Sequence, residues 1–152
     1  MNRTLTCLLA GLLQLMSSLA SAQADPNVRY AQDMVVYFGV MPAEVVRGHP
    51  ASHPESQMHG RGHGGPGEKH VVIALFDAAI GARITDATVT ARVMESSQPA
   101  LALEPMTVAG ATTYGNYLPL VDAGSQQVRI EITRPSRGKA AIVTFRYPVT
   151  AP

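Results

Sequence analysis

Between residues 86 and 93 apolar and polar side chains alternate one by one, with Ala87, Val89, Ala91 and Val93 on one side and Thr88, Thr90 and Arg92 on the other. Extended backbone sends successive side chains to opposite faces, so this pattern predicts a strand with one face buried. Residues 127–133 repeat it, with Val128, Ile130 and Ile132 inward and Arg129 and Glu131 outward. Residues 141–149 (AIVTFRYPV) put Val143, Phe145 and Tyr147 on a shared face. Residues 33–40 (DMVVYFGV) are rich in β-branched and aromatic types, and residues 70–76 (HVVIALF) form a near-continuous apolar run. Leu101 and Leu103 begin a short strand that Glu104-Pro105 is expected to close. Residues 112–120 (TTYGNYLPL) predict another strand, which Gly115 and Pro119 weaken to an edge or bulged position.

The punctuation agrees with this reading. Asp77-Ala78-Ala79-Ile80-Gly81 is a turn with glycine near its end, and residues 134–139 make a polar hairpin loop. No stretch after residue 24 sustains a helical period for three turns, and residues 43–47 allow one turn at most. Seven or so short strands separated by turn signals predict an all-β, two-sheet β-sandwich, with a small closed barrel as the alternative. The expected core is Val72, Ala74, Val89, Ala91, Val93, Val128, Ile130, Ile132, Val143 and Phe145.

The first residues follow a different grammar. Arg3 precedes a leucine-rich run over residues 5–16, and small residues follow: Ser17, Ser18, Ala20, Ser21, Ala22 and Ala24. This basic, apolar, small-residue order predicts a secretory signal peptide over residues 1–24, cleaved after Ala24 or alternatively after Ala22. The apolar run is short for a bilayer span, so no transmembrane segment is expected in the mature chain. Residues 25–152 then form a single domain, exported to the periplasm. Cleavage removes Cys7, the only cysteine. The exported domain therefore has no disulfide, no thiolate ligand and no cysteine nucleophile.

Charge narrows the function. Twelve Lys and Arg against eleven Asp and Glu leave a net charge of +1, with no basic stripe to neutralise phosphates and no tryptophan. A nucleic-acid partner is excluded on this ground. No nucleophile elbow or phosphate-cradling glycine loop occurs, and the carboxylates Asp77 and Asp86 read as turn chemistry. The chain is not expected to be an enzyme.

The candidate chemistry lies between the first two predicted strands, in residues 48–67 (GHPASHPESQMHGRGHGGPG). A long segment of this composition is either functional or a linker. It carries His49, His53, His59 and His63, with Met58 beside His59. Neutral imidazole is the commonest protein ligand for transition metals, and a thioether suits Cu(I). Glycine and proline exclude a helix here, so the histidines would converge only by folding of the loop around an ion. The expected ligands are His49, His53, Met58, His59 and His63. The expected ion is a transition metal, with copper first and zinc or nickel as alternatives. His70, heading an apolar strand, reads as a structural histidine, and Met34, Met41 and Met106 are further thioethers with no assigned place.

Residues 69–147 resemble the YtkA-like and FixH-like periplasmic domains. The resemblance rests on the apolar strand HVVIALFD, the glycine turn AIGAR, the strand TDATVTARV, the Tyr-Gly strand TTYGNYLPL and the strand after a glycine turn, DAGSQQVRIEI. Gln126-Gln127-Val128 departs from that pattern, which carries Gly-x-Trp or Gly-x-Tyr there. The resemblance implies an immunoglobulin-like sandwich in periplasmic assemblies that handle copper or build metalloenzymes. Two function classes follow. One is a periplasmic metal-binding accessory protein, delivering or buffering copper. The other is a non-catalytic interaction module that docks a periplasmic or membrane protein, with the tract as a linker. A third reading, an accessory protein for ferrous-iron uptake, rests on a looser resemblance at Met106 and Tyr114-Gly115-Asn116.

Overall fold

The computed structural model describes residues 25–43 and 68–148. The segment read as a signal peptide lies outside these residues, and so does the tract carrying His49, His53, Met58, His59 and His63. Every element assigned among the described residues is a strand: β1 Val28–Ala31, β2 Met34–Pro42, β3 Lys69–Asp77, β4 Thr88–Val93, β5 Leu101–Val108, β6 Ala111–Leu118, β7 Gln126–Thr133 and β8 Ala141–Tyr147. All pairings are antiparallel. The fold is all-β, as the alternation predicted.

The eight strands follow one hydrogen-bonded order, β1-β2-β3-β6-β5-β4-β7-β8. The order stays continuous because β5 changes partner along its length. Leu101–Leu103 pair with β4, and Glu104–Val108 pair with β6. Pro105 stands where the β4 ladder has ended, a position that tolerates a missing N–H. The strand therefore runs on through Glu104-Pro105 instead of closing there.

The outer strands β1 and β8 meet through side chains, so the sheet nearly closes on itself. Arg29 Nε donates to the Thr144 carbonyl at 3.2 Å, and its guanidinium lies 5.1 Å from the centre of the Phe145 ring. Arg137 and Arg134 both pair with Asp33, tying the β7–β8 hairpin to the β1–β2 turn.

The interior confirms most of the predicted core. Val89, Ala91, Val93, Val128, Ile130, Ile132, Val143 and Phe145 are all buried. Phe38 stacks on Phe145 with ring centres 4.7 Å apart. Tyr114 also enters the core, its hydroxyl accepting from the Ala87 N–H at 3.0 Å. Burial raises the Tyr114 pKa above the ordinary phenol value.

Two further expectations are corrected. On β3 the inward residues are Val71, Ile73 and Leu75, whereas Val72 and Ala74 are only partly buried. In a run apolar at nearly every position, periodicity cannot fix which alternate set faces inward. β6 is also not an edge strand, since it pairs with β3 on one side and β5 on the other. Pro119 lies just past its end, where it breaks no ladder. The turn expected at Asp77 is present: the Asp77 carboxylate accepts from the N–H groups of Ala79 and Ile80, and Gly81 takes a φ of +68°.

Candidate functional site

Having Val71 face inward turns His70 to the opposite, outer face of β3. Side chains at paired positions share a face, so the register shows what surrounds it. His70 pairs with Met41 of β2 and Tyr117 of β6. Val72, two residues on, pairs with Gly115 of β6, and Gly115 in turn pairs with Glu104 of β5. Met106 pairs with Thr113. The outer face of the central strands thus gathers an imidazole, two thioethers, a carboxylate, a hydroxyl and a phenol around one glycine.

Outward-facing residues of a sheet are ordinarily wet, and Glu104 is exposed, but four of these are buried. His70 is 1% exposed and Met106 3% exposed. Thr113 and Tyr117 are also buried, and Ala43, Tyr117 and Met41 form an apolar cluster separate from the main core. The His70 and Tyr117 rings lie 5.0 Å apart between centres, tilted by 47°.

Gly115 locates the focus of this patch. A Cβ at Gly115 would lie 2.5 Å from Met106 Sδ, 3.1 Å from His70 Nε2 and 3.1 Å from the Val71 carbonyl oxygen. The imidazole nitrogen and the thioether sulfur therefore border one small space, open only because this residue lacks a side chain. Such a pair fits a soft or borderline metal ion, for which imidazole nitrogen and thioether sulfur are both suitable donors. Among the described residues no three His, Cys, Asp or Glu side chains gather to hold a metal.

Pro42 pairs with Lys69 and Met41 with His70, so the described residues that flank positions 44–67 lie beside His70. The start of β3 is held firmly there. Asp122 accepts from Lys69 Nζ at 2.8 Å and from the Tyr147 hydroxyl at 2.5 Å, joining the β6–β7 loop to β3 and β8. Hydrogen bonds from Lys69 and Tyr147 lower the Asp122 pKa. Burial, followed by the Asp122 carboxylate, pushes Tyr147 up to about 12.

His70 and Met106 are the residues that the sequence reading left out of the metal set. One signal for them was the phase of β3: once Val71, Ile73 and Leu75 face inward, His70 must face out. The nearness of Met106 depends on the order β3-β6-β5, which local pattern does not contain.

No family model matches the chain, and no curated protein matches it. Solved structures do. A copper-bound variant of FetP from uropathogenic Escherichia coli has a TM-score of 0.58 at 14% identity, with 79% of this chain and 91% of that chain covered. FetP as isolated after expression in the periplasm of E. coli has a TM-score of 0.59 at 12% identity, covering 78% of this chain and 89% of that one. A copper-bound variant of P19 from Campylobacter jejuni has a TM-score of 0.53 at 10% identity, covering 79% and 94%. At these identities the likeness is one of fold. It does not extend to the YtkA-like and FixH-like domains by name.

Proposed function

We propose that this chain is an exported, non-catalytic copper-handling protein of the periplasm, which buffers or delivers Cu(I). The observation that carries this reading is the convergence of His70 Nε2 and Met106 Sδ over Gly115 on an outer but buried face. A thioether is a poor partner for hard cations and a good one for Cu(I), and its pairing with imidazole favours copper over magnesium or calcium. The copper-bound FetP and P19 structures support the reading, because proteins of this fold hold that ion.

The His-rich tract has a natural place in this scheme. His49, His53, Met58, His59 and His63 supply the further donors that two sheet residues lack, from a segment tethered beside His70. Ordering a glycine-rich segment costs conformational entropy and so limits affinity. That suits exchange of an ion with a partner better than permanent retention.

Anaerobic titration with Cu(I) against a chromophoric Cu(I) chelator tests the proposal. Wild-type protein is expected to compete for the ion, and His70→Ala is expected to bind at least tenfold more weakly. Equal binding by both would remove the sheet site. In that case, loss of binding on replacing the four tract histidines with alanine would assign copper to the tract alone. Failure of wild-type protein to bind Cu(I), Cu(II), Zn(II) or Ni(II) would leave the interaction-module reading.

A further inference from the structure

The register poses a problem that one residue solves. β6 lies between β3 and β5. Adjacent strands stand about 4.8 Å apart and each residue advances about 3.4 Å along a strand, so His70 on β3 and Met106 on β5, offset by two strands and four residues, start from backbone positions roughly 16 Å apart. Any outward side chain of β6 between them would stand in the way. Met106 lies opposite Thr113 and His70 opposite Tyr117, so the diagonal joining them crosses β6 midway, at position 115. That position is glycine, in the interior of a strand paired on both sides.

Glycine weakens such a strand, because it gives up backbone entropy and offers no side chain to pack. Nothing in the backbone requires it here, since Gly115 is not among the residues with positive φ. The required feature is space: the volume of its missing Cβ is taken by the Met106 sulfur on one side and bordered by the His70 imidazole on the other. We infer that Gly115 is a specificity-determining residue of the copper site. It opens a passage through which the Met106 thioether crosses β6 to join His70, and it thereby confers preference for Cu(I) over Zn(II). The inference rests on the copper reading above and adds a residue that would itself touch no ion.

A methyl group at position 115 would displace the flexible end of Met106, leaving imidazole without its sulfur partner. Cu(I) binding should then fall, while Zn(II) binding, which draws on nitrogen donors, should change little. The test is a thermodynamic cycle in the full exported chain. Cu(I) and Zn(II) affinities are measured by chelator competition for wild type, Gly115→Ala, Met106→Leu and the double variant.

The expected result is a loss of about tenfold or more in Cu(I) affinity for each single variant, with no additional loss in the double variant and Zn(II) affinity held within about threefold. Because residues acting through one contact are non-additive, the double variant carries the decision. Wild-type Cu(I) affinity in Gly115→Ala would overturn the role of Gly115, and so would full additivity. Loss of binding in His70→Ala would preserve the copper site in either event. The added methyl also approaches the Val71 carbonyl, so Gly115→Ala could fail to fold. Gly115→Ala/Met106→Ala relieves the crowding at sulfur and is compared with Met106→Ala. Equal Cu(I) affinities support the passage, and a weaker double variant contradicts it.

Discussion

Two buried regions lie on opposite faces of the same strands, and they differ in composition. Inside, Ile73, Leu75, Ile130, Ile132 and Phe145 meet in an interior with almost no polar atoms apart from the hydroxyl of Tyr114. Outside, His70, Met106, Thr113 and Tyr117 are nearly as well covered, yet each brings a nitrogen, sulfur or oxygen atom to the patch. Burying apolar surface stabilises the fold by roughly 25 cal/mol per Å², whereas burying polar groups adds little or opposes it. The inner region is explained by stability. The outer region carries the nitrogen and sulfur atoms on which the proposed copper site draws.

Substitutions should separate the two regions sharply. Ile130→Asp places a charge in the interior and is expected to unfold the domain, a loss of about 4 kcal/mol or more that chemical denaturation would register as absence of a native baseline. Phe145→Ala removes one half of the stacked pair with Phe38 and should lower unfolding free energy by about 3–5 kcal/mol in urea. Tyr114→Phe leaves the Ala87 N–H without its hydroxyl acceptor and should lose about 1–3 kcal/mol. Met106→Leu, on the outer face, conserves volume and should change stability by less than about 1.5 kcal/mol while weakening Cu(I) binding. A large stability loss there would make the outer patch a second core.

The smallest effect concerns pH. Burial and the Asp122 carboxylate push the Tyr147 pKa from the ordinary phenol value of 10.0 up to about 12 in the folded chain. The unfolded chain loses this proton first, so the contribution is fully present below pH 10 and is lost as pH rises through 12. Tyr147→Phe should flatten stability across that window, and absorbance of the phenolate should lose a late-titrating component. Asp122 titrates in the opposite sense, since its folded pKa is lowered by Lys69 and Tyr147. Its contribution is present above the ordinary carboxylate pKa and declines as pH falls through the lowered value.

What was legible in the sequence follows the same division. Strict alternation in β4, β7 and β8 marked both the strands and their inward faces, because a one-sided strand writes its burial into a period of two. β3 hid its phase, being apolar on both faces. The short β1, with Val28, Arg29, Tyr30 and Ala31, offered too little pattern to be recognised. β6 was taken for an edge because Gly115 and Pro119 ordinarily weaken central strands, yet the glycine leaves room for the Met106 sulfur and the His70 imidazole, and the proline lies beyond the ladder. The histidine tract led the sequence reading to metal binding by composition, and it lies outside the described residues. The His70–Met106 pair could not do so, because the two residues stand 36 positions apart in the chain and meet only when β6 lies between their strands.

The central claim is that His70 and Met106 hold one copper ion together. X-ray absorption spectroscopy at the copper edge, on protein loaded anaerobically with one equivalent of Cu(I), addresses it most directly. Wild-type protein is expected to show both nitrogen and sulfur scatterers, Met58→Leu to keep the sulfur and Met106→Leu to lose it. A sulfur scatterer that survives Met106→Leu and disappears in Met58→Leu would contradict the claim and move the site to the tract.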